Sequence, residues 1–432
     1  MTARREARGG TLILGGGFAG ASVARRLGRR GATIICPENF LLFTPMLPEA
    51  AAGTIEPRHV VVPLRLMCPH AALIVGRAVG LDEATRTVRV EAHNGPLEVG
   101  YEQLVLALGS VPRTLPIPGL AEHALGLKSL ADAIHLRNHV LRRLEAADCE
   151  GDPACARRHL TFVFVGAGYS GVKAMGQLMA LVRDALAHYP DLRGVSPRAV
   201  LVEAAPRILP EASADLADYA ARRLRASGVD VRTSTRLAAV ERGLVTLSDG
   251  TRIEADTLVW TAGARAHPLL EEFGLPTDDR GRVRADAMLR VEGRDRLWAL
   301  GDCARVPNAA TPDHPDPPTA QHALMQAIRL AANLRGEPAP YRYRLIGQVA
   351  TLGHYRGIAD VLGMRFRGPL GWFISRWYDL YQLPLMSRRL RVMADWAAAL
   401  VLGRDIAELG MLGHPAPLPS AEVAGGSAAT AR

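Results

Sequence analysis

Lysine is almost missing from this chain: among 52 lysines and arginines in 432 residues, only Lys128 and Lys173 are lysines. Cysteine is scarce as well, and five cysteines in this length exclude a disulfide-stapled scaffold. No apolar run approaches the roughly 18 residues that a helix needs to cross a bilayer. The basic opening MTARREARGG leads into the short run TLIL, too short for a signal-peptide core, so a cytosolic, reducing compartment is expected. Apolar residues themselves are not lacking. A hydrophobic share of 48% with 22% charged residues excludes global disorder and collagen-like repeats. The length is enough for two to three domains with real cores. The net charge of +9 is compatible with nucleic acid, anionic lipid or an anionic cofactor, and does not choose among them.

What is present begins with punctuation. Thr11–Leu14 is a short apolar strand that runs into Gly15-Gly16-Gly17-Phe18-Ala19-Gly20. A helix is predicted over Ala21–Leu27 and a second strand over Ala32–Ile35. In such a unit Gly15 permits the tight turn, Gly17 lets the backbone approach a pyrophosphate, and Gly20 lets helix and strand pack closely. The helix N-terminus then offers free N–H groups to phosphate. The same grammar returns at Leu160–Val165, followed by Gly166-Ala167-Gly168-Tyr169-Ser170-Gly171, a long helix to about Tyr189, and a strand Ala199–Val202 that ends at Glu203. An acid at that place can accept hydrogen bonds from the ribose hydroxyl pair of a dinucleotide. One such glycine turn is weak evidence, but two in the same strand–turn–helix context are strong. They point to a flavin and a nicotinamide held face to face in an α/β fold.

Other strands end in glycine. They are Leu104–Leu108 before Gly109, Thr257–Ala262 before Gly263, and Leu297–Leu300 before Gly301-Asp302. Prolines follow the first two, as expected where a chain crosses between domains. Residues 306–319 form a proline-rich loop, a helix opens near Thr319, and the Ala-, Gly-, Ser- and Pro-rich tail 411–432 is expected to be disordered.

Several blocks are specific enough to name a family. GGGFAG, NFLLFTPMLPEAAAGTIEPR (39–58), LVLALGSVPR (104–113), LTFVFVGAGYSG (160–171), LWALGDC (297–303), PPTAQHA (317–323) and RLRVMADW (389–396) resemble the type II NADH:quinone dehydrogenases, a branch of the two-dinucleotide-binding flavoproteins. The resemblance covers about residues 9–410. It implies two Rossmann-like domains, a discontinuous FAD domain (1–118 and 282–345) and an NAD(H) domain (119–281). A C-terminal amphipathic helical segment (346–410) is expected to serve membrane association and the quinone site. It further implies hydride transfer from NADH to FAD and two electrons passed on to a membrane quinone, with no proton pumped. Rivals that keep the fold are a reductase of another acceptor and a low-turnover nucleotide-sensing flavoprotein.

Carried over residue by residue, the resemblance puts the FAD pyrophosphate on Gly15, Gly17, Phe18, Ala19 and Gly20. Thr44, Pro45 and Gly109 come near the flavin, Asp302 onto its ribitol or phosphate region, and Thr319, Ala320 and Gln321 at a helix N-terminus aimed at the ring. Gly166, Gly168, Tyr169, Ser170, Gly171 and Gly263 fall to NADH. Glu203 disfavours a 2′-phosphate, with Arg207 a partial offset. The first nucleotide domain lacks the usual acid at the end of its second strand; Cys36-Pro37-Glu38 stands there, and Glu38 is the substitute. Lys173 and Gln177 occupy positions where the family keeps glutamates, which reverses a charge beside the hydride path. Lys173, Gln177, Gln321 and Arg356 are the candidate catalytic residues, and His354 is either a proton donor to quinol or a surface histidine. No metal site is indicated. Cys149 and Cys155 allow a disulfide or redox pair.

Residues 341–400 hold nine arginines against three aspartates, and three of the five tryptophans. Trp372–Tyr381 reads as an amphipathic helix. Aromatic rings beside arginines suit an anionic membrane surface, so a peripheral position on the cytoplasmic face of the cell membrane is expected. A homodimer seam is compatible with the same pattern. With most of the surplus charge in one segment, nucleic acid is not an expected partner.

Overall fold

Runs of β-branched and aromatic residues buried on both faces set the architecture. The computed structural model describes residues 3–312 and 316–408. In Thr11–Leu14 and Thr161–Val165 every residue is buried. Strands of this kind belong inside parallel sheets covered on both sides. At roughly 1.5–3 kcal/mol for each large apolar side chain fully buried, they also organise the two largest cores. The first sheet runs, in spatial order, Leu297–Ala299, Gln103–Leu106, Thr11–Leu14, Thr33–Cys36 and Ala72–Asp82, all parallel. It continues through the antiparallel strands Thr87–Ala92 and Gly95–Gly100 to the edge strand Ala3–Glu6. The second sheet is wholly parallel: Val229–Arg232, Arg198–Val202, Thr161–Val165, Thr257–Trp260.

Seven helices matter for the site: α1 (Phe18–Leu27), α2 (Leu47–Ala51), α3 (Leu130–Asp148), α4 (Tyr169–Leu186), α5 (Ala320–Leu334), α6 (Gly368–Gln382) and α7 (Met386–Leu402). Helix α1 follows the first glycine turn and α4 the second, so both predicted strand–turn–helix units are present. The chain crosses between the two lobes on a pair of short antiparallel strands, Ser110–Pro112 and Ala264–Ala266.

The C-terminal segment differs from the helical element expected for it. It opens with a three-stranded antiparallel sheet, Gly347–Gly353, Arg356–Val361 and Met364–Arg367, and only then forms α6 and α7. Ala350, Leu352 and Ile358 of that sheet share a core with Val172, Met175 and Met179 of α4. Helix and strand approach so closely at Gly176 that a Cβ there would lie 2.8 Å from the Gly353 nitrogen. Leu380, Leu383 and Val392 of the helical part join the core of the first lobe instead. The segment is thus packed into both lobes. The tail 411–432 lies outside the described residues.

Candidate functional site

The two glycine turns build the same cradle twice. Gly15 (φ +108°) and Gly166 (φ +102°) turn the chain out of its strand in a conformation that L side chains rarely adopt. A Cβ at Gly20 or Gly171 would collide with the carbonyl of Gly15 or Gly166, so the helix lies hard against its turn. At Gly17 and Gly168 the opposite holds, with nothing within 4 Å of a Cβ position. These are the N-cap residues of α1 and α4, and neither carries a side-chain cap. Each helix therefore presents uncapped N–H groups and its positive end to open space, which fits the diphosphate of a dinucleotide. Phe18 and Ala19 form the first turn of α1; Tyr169 and the exposed Ser170 form that of α4. The Tyr169 hydroxyl donates to Gln348 Oε1 at 3.0 Å.

Acids stand beside both cradles. Glu203 accepts from the Ala167 N–H at 2.7 Å and the Ala205 N–H at 2.9 Å, which fixes its carboxylate against the second turn and leaves further lone pairs on each oxygen. Arg207 does not reach toward it; its guanidinium donates to the Pro210 and Ala212 carbonyls of its own loop at 3.0 and 3.4 Å. Glu38 is exposed, two residues past the end of its strand. Asp302 sits in the turn after Leu297–Ala299, where its Oδ2 accepts from Ser110 Oγ at 2.8 Å. Gly109 and Gly263, both with φ above +60°, lead into the crossing strands.

Thr319 is the N-cap of α5 and Ala320 its first residue. The Thr319 hydroxyl oxygen accepts from the His322 N–H at 3.3 Å and lies 2.7 Å from His322 Nδ1. Burial lowers the pKa of His322, against the pull of Asp316 at 3.5 Å. Gln321 is clamped, its amide donating to the Gly347 carbonyl at 2.8 Å and accepting from the Tyr343 hydroxyl at 3.1 Å.

The sequence reading missed how tightly the lobes and the C-terminal segment meet. Phe43 is buried beside Phe18, with ring centroids 5.5 Å apart, and leads into the turn Thr44–Met46. Lys173, buried on α4, donates to the Pro45 carbonyl at 3.4 Å and to Asp379 Oδ2 on α6 at 2.7 Å. Burial pushes Asp379 above the ordinary carboxylate range, opposed by the ammonium of Lys173. Beside this pair, buried Glu49 accepts from Arg376 at 3.1 Å and from the Trp396 indole at 2.8 Å. The Arg376 guanidinium lies 4.5 Å from the Trp372 ring and 4.7 Å from that of Trp396. Gln177 is also buried, and its backbone carbonyl accepts from Arg404 at 3.1 Å. Glu49 could have been suspected as the one charge in the apolar stretch Met46–Ala52; Asp379 and Arg376 stand out as charges in an aromatic helix, but nothing local says which buried partner each takes.

Arg356 is exposed on the C-terminal sheet and bonds to Ser227 Oγ of the second lobe. Its neighbour His354 stacks edge-on against Tyr355 at 4.0 Å, and burial together with Arg404 lowers its pKa. All five cysteines are free, Cys149 and Cys155 included, so no disulfide joins that pair. Cys303, beside Asp302, is buried and its thiol is pushed up to about 11, which makes it a packing residue and not a nucleophile. Among the described residues no helix is long and apolar enough to cross a membrane.

The comparisons agree with this geometry. The family model for pyridine nucleotide-disulphide oxidoreductases matches residues 10–327. A probable NADH dehydrogenase of Dictyostelium discoideum is 31% identical over 93% of this chain and 93% of its own length. A type II NADH:quinone oxidoreductase of Staphylococcus epidermidis is 31% identical over 85% of this chain and 93% of its own. Among solved structures, NDH2 from Plasmodium falciparum in complex with NADH superposes with a TM-score of 0.84 at 16% identity, covering 94% of this chain and all of that one, a likeness of fold. The chain belongs to the pyridine nucleotide-disulphide oxidoreductase family, in its type II NADH:quinone oxidoreductase branch.

Proposed function

We propose that this chain oxidises NADH through bound FAD and passes two electrons to a quinone, working as a peripheral protein on the cytoplasmic face of a membrane and pumping no protons. What supports the reading above all is the pair of open glycine cradles, each on an uncapped helix, set in two lobes that meet at the crossing strands Ser110–Pro112 and Ala264–Ala266. The first lobe, about 1–118 with 282–345, is the FAD domain. Gly15, Gly17, Phe18, Ala19 and Gly20 hold the diphosphate, Asp302 receives the ribitol side, and Thr44, Pro45 and Gly109 line the ring region. The lobe 119–281 holds NADH on Gly166, Gly168, Tyr169, Ser170 and Gly171. Its Glu203 carboxylate, already fixed by two backbone N–H groups, accepts from the adenosine ribose and repels a 2′-phosphate, with the Arg207 guanidinium held on the carbonyls of its own loop. Bound FAD supplies the two-electron redox chemistry; the protein supplies alignment of the reactants and exclusion of water. The helix α5, opening at Thr319-Ala320-Gln321, directs its positive end at the pocket and favours the added negative charge there.

The membrane side of the reading rests on exposed apolar residues. Leu370, Phe373, Trp377 and Tyr381 recur at helical spacing along α6, and Met386, Leu390 and Met393 along α7; all seven are exposed. Arg388 and Arg391 flank them, while Arg365 and Arg367 are paired with Asp215. Such a face suits the interface of an anionic lipid surface.

An anaerobic stopped-flow trace tests the reaction. NADH is expected to bleach the flavin band, and a short-chain quinone to restore it. No bleaching overturns the dehydrogenase reading and leaves a nucleotide sensor; bleaching without recovery on quinone turns the acceptor into another class.

A further inference from the structure

The other lysine, Lys128, ends a polar chain that starts at the acid of the first lobe. Lys128 stands just before Ser129, the N-cap of α3 in the second lobe. Its backbone is fixed there, because the N–H groups of Lys128 and Ser129 both donate to Asp132 Oδ2 at 2.9 Å and Ser129 Oγ accepts from the Asp132 N–H at 3.1 Å. From this capping box the side chain crosses to the linking strand, where Nζ donates to Ser110 Oγ at 3.0 Å. Ser110 Oγ in turn lies 2.8 Å from Asp302 Oδ2.

Chemistry fixes the direction of this chain. An ammonium only donates, so it occupies a lone pair of the serine oxygen. The single serine hydrogen is then directed to the carboxylate. Lys128 thus makes Ser110 a donor to Asp302, holds Oδ2, and leaves Oδ1 to face a bound group. It also sets a positive charge one residue away from the carboxylate without contacting it. Ser110 and Asp302 belong to the first lobe and Lys128 to the second, so the chain is complete only when the lobes are correctly seated.

We propose that Lys128 is a positioning residue for the flavin: from the nucleotide lobe it orients Asp302 through Ser110 and offsets the carboxylate charge that would oppose reduced flavin. The inference rests on the reading that Asp302 faces bound FAD. If Lys128 is removed, Ser110 is free to rotate, and Asp302 is left misaligned and uncompensated. Because the Lys128 side chain remains open to solvent, its charge is partly screened.

The test uses the full-length FAD-loaded protein with Lys128→Met, Lys128→Arg and Ser110→Ala. Lys128→Met is expected to speed FAD release on dilution by roughly threefold to tenfold, the range for loss of one ordinary hydrogen bond, since the lysine charge is screened by solvent, and to move the flavin midpoint potential to a more negative value. Ser110→Ala is expected to do the same, and the double variant to add little, since the two act as one chain. Lys128→Arg, which keeps charge and donor, is expected to recover most of the potential. If Lys128→Met and Ser110→Ala lower only the melting temperature and leave potential and FAD release at wild-type values, Lys128 is a lobe tether and the proposal fails. A wild-type protein that neither retains nor takes up FAD fails at the earlier step, the flavin reading itself.

Discussion

At the scale of single residues, the lysine beside the expected hydride path is neutralised and not intrusive. Lys173 stands where relatives are expected to keep a glutamate, and taken alone that exchange predicts that Lys173→Glu speeds NADH oxidation. The 2.7 Å contact with Asp379 changes the expectation. Both partners are buried, and removing one partner of such a pair typically costs about 3–5 kcal/mol because the other is left uncompensated. In Lys173→Glu the new carboxylate meets Asp379, itself already held above its usual range by burial. We expect Lys173→Glu alone to melt well below wild type and to lose NADH reduction with it. Lys173→Glu combined with Asp379→Lys restores opposite charges and should recover most of the melting temperature. Thermal melts and stopped-flow reduction on the three proteins check this; a single Lys173→Glu variant with wild-type stability and a faster rate would contradict the pairing argument.

At the scale of elements, what was legible in the sequence was local. GGGFAG and GAGYSG could be read because turn, helix start and close packing are all specified within a few residues. The apolar runs around them could be read because a strand buried on both faces has no polar alternation. Observed bounds differ by only a few residues, as in α4, which ends at Leu186 where about Tyr189 was expected. The C-terminal sheet was not legible. Its strands pair with each other by hairpins, yet their buried faces are explained by distant elements, chiefly α4, more than 150 residues earlier in the chain, and α6. The Ser227 partner of Arg356 was not legible for the same reason, since its motif says nothing about which lobe its strand faces. The stripe on α6 was legible because helical spacing alone defines it. Phe373 and Trp377 are both 59% exposed and stack on each other at 6.4 Å, so they contribute little to the fold. Replacing both with serine should leave the melting temperature within a degree or two of wild type and the flavin intact, while cutting sedimentation with anionic phosphatidylglycerol vesicles at least about fivefold. Unchanged vesicle binding would remove α6 from the membrane contact, and a dimer-to-monomer shift instead would assign the face to a second copy of the chain.

At the scale of the whole molecule, the C-terminal segment acts as a bolt through both lobes, which decides how its role can be examined. Asp379 compensates Lys173 of the second lobe, while Arg376 and Trp396 satisfy Glu49 of the first. His59 contacts Asp395 at 2.6 Å, and Arg137 donates to the carbonyls of Asp405 and Ala407, both at 2.8 Å. Buried Arg404 ties the end of the segment to α4 through the Gln177 carbonyl and Asp184. Two buried charges, Lys173 and Glu49, would lose their partners if the segment were cut away. At about 3–5 kcal/mol each, that loss alone rivals the 5–15 kcal/mol by which folded domains are usually stable. The apolar contacts of Leu380, Leu383 and Val392 would go as well. A chain ending before Arg365 is therefore expected to aggregate or melt far below wild type and to be purified without FAD, not to remain as a soluble flavoprotein that has merely lost its membrane. Circular dichroism melts and flavin absorbance on the truncated protein decide the matter. If it stays soluble, keeps its flavin and melts like the full chain, the segment is an appendage, and the buried pairs are not what joins the lobes.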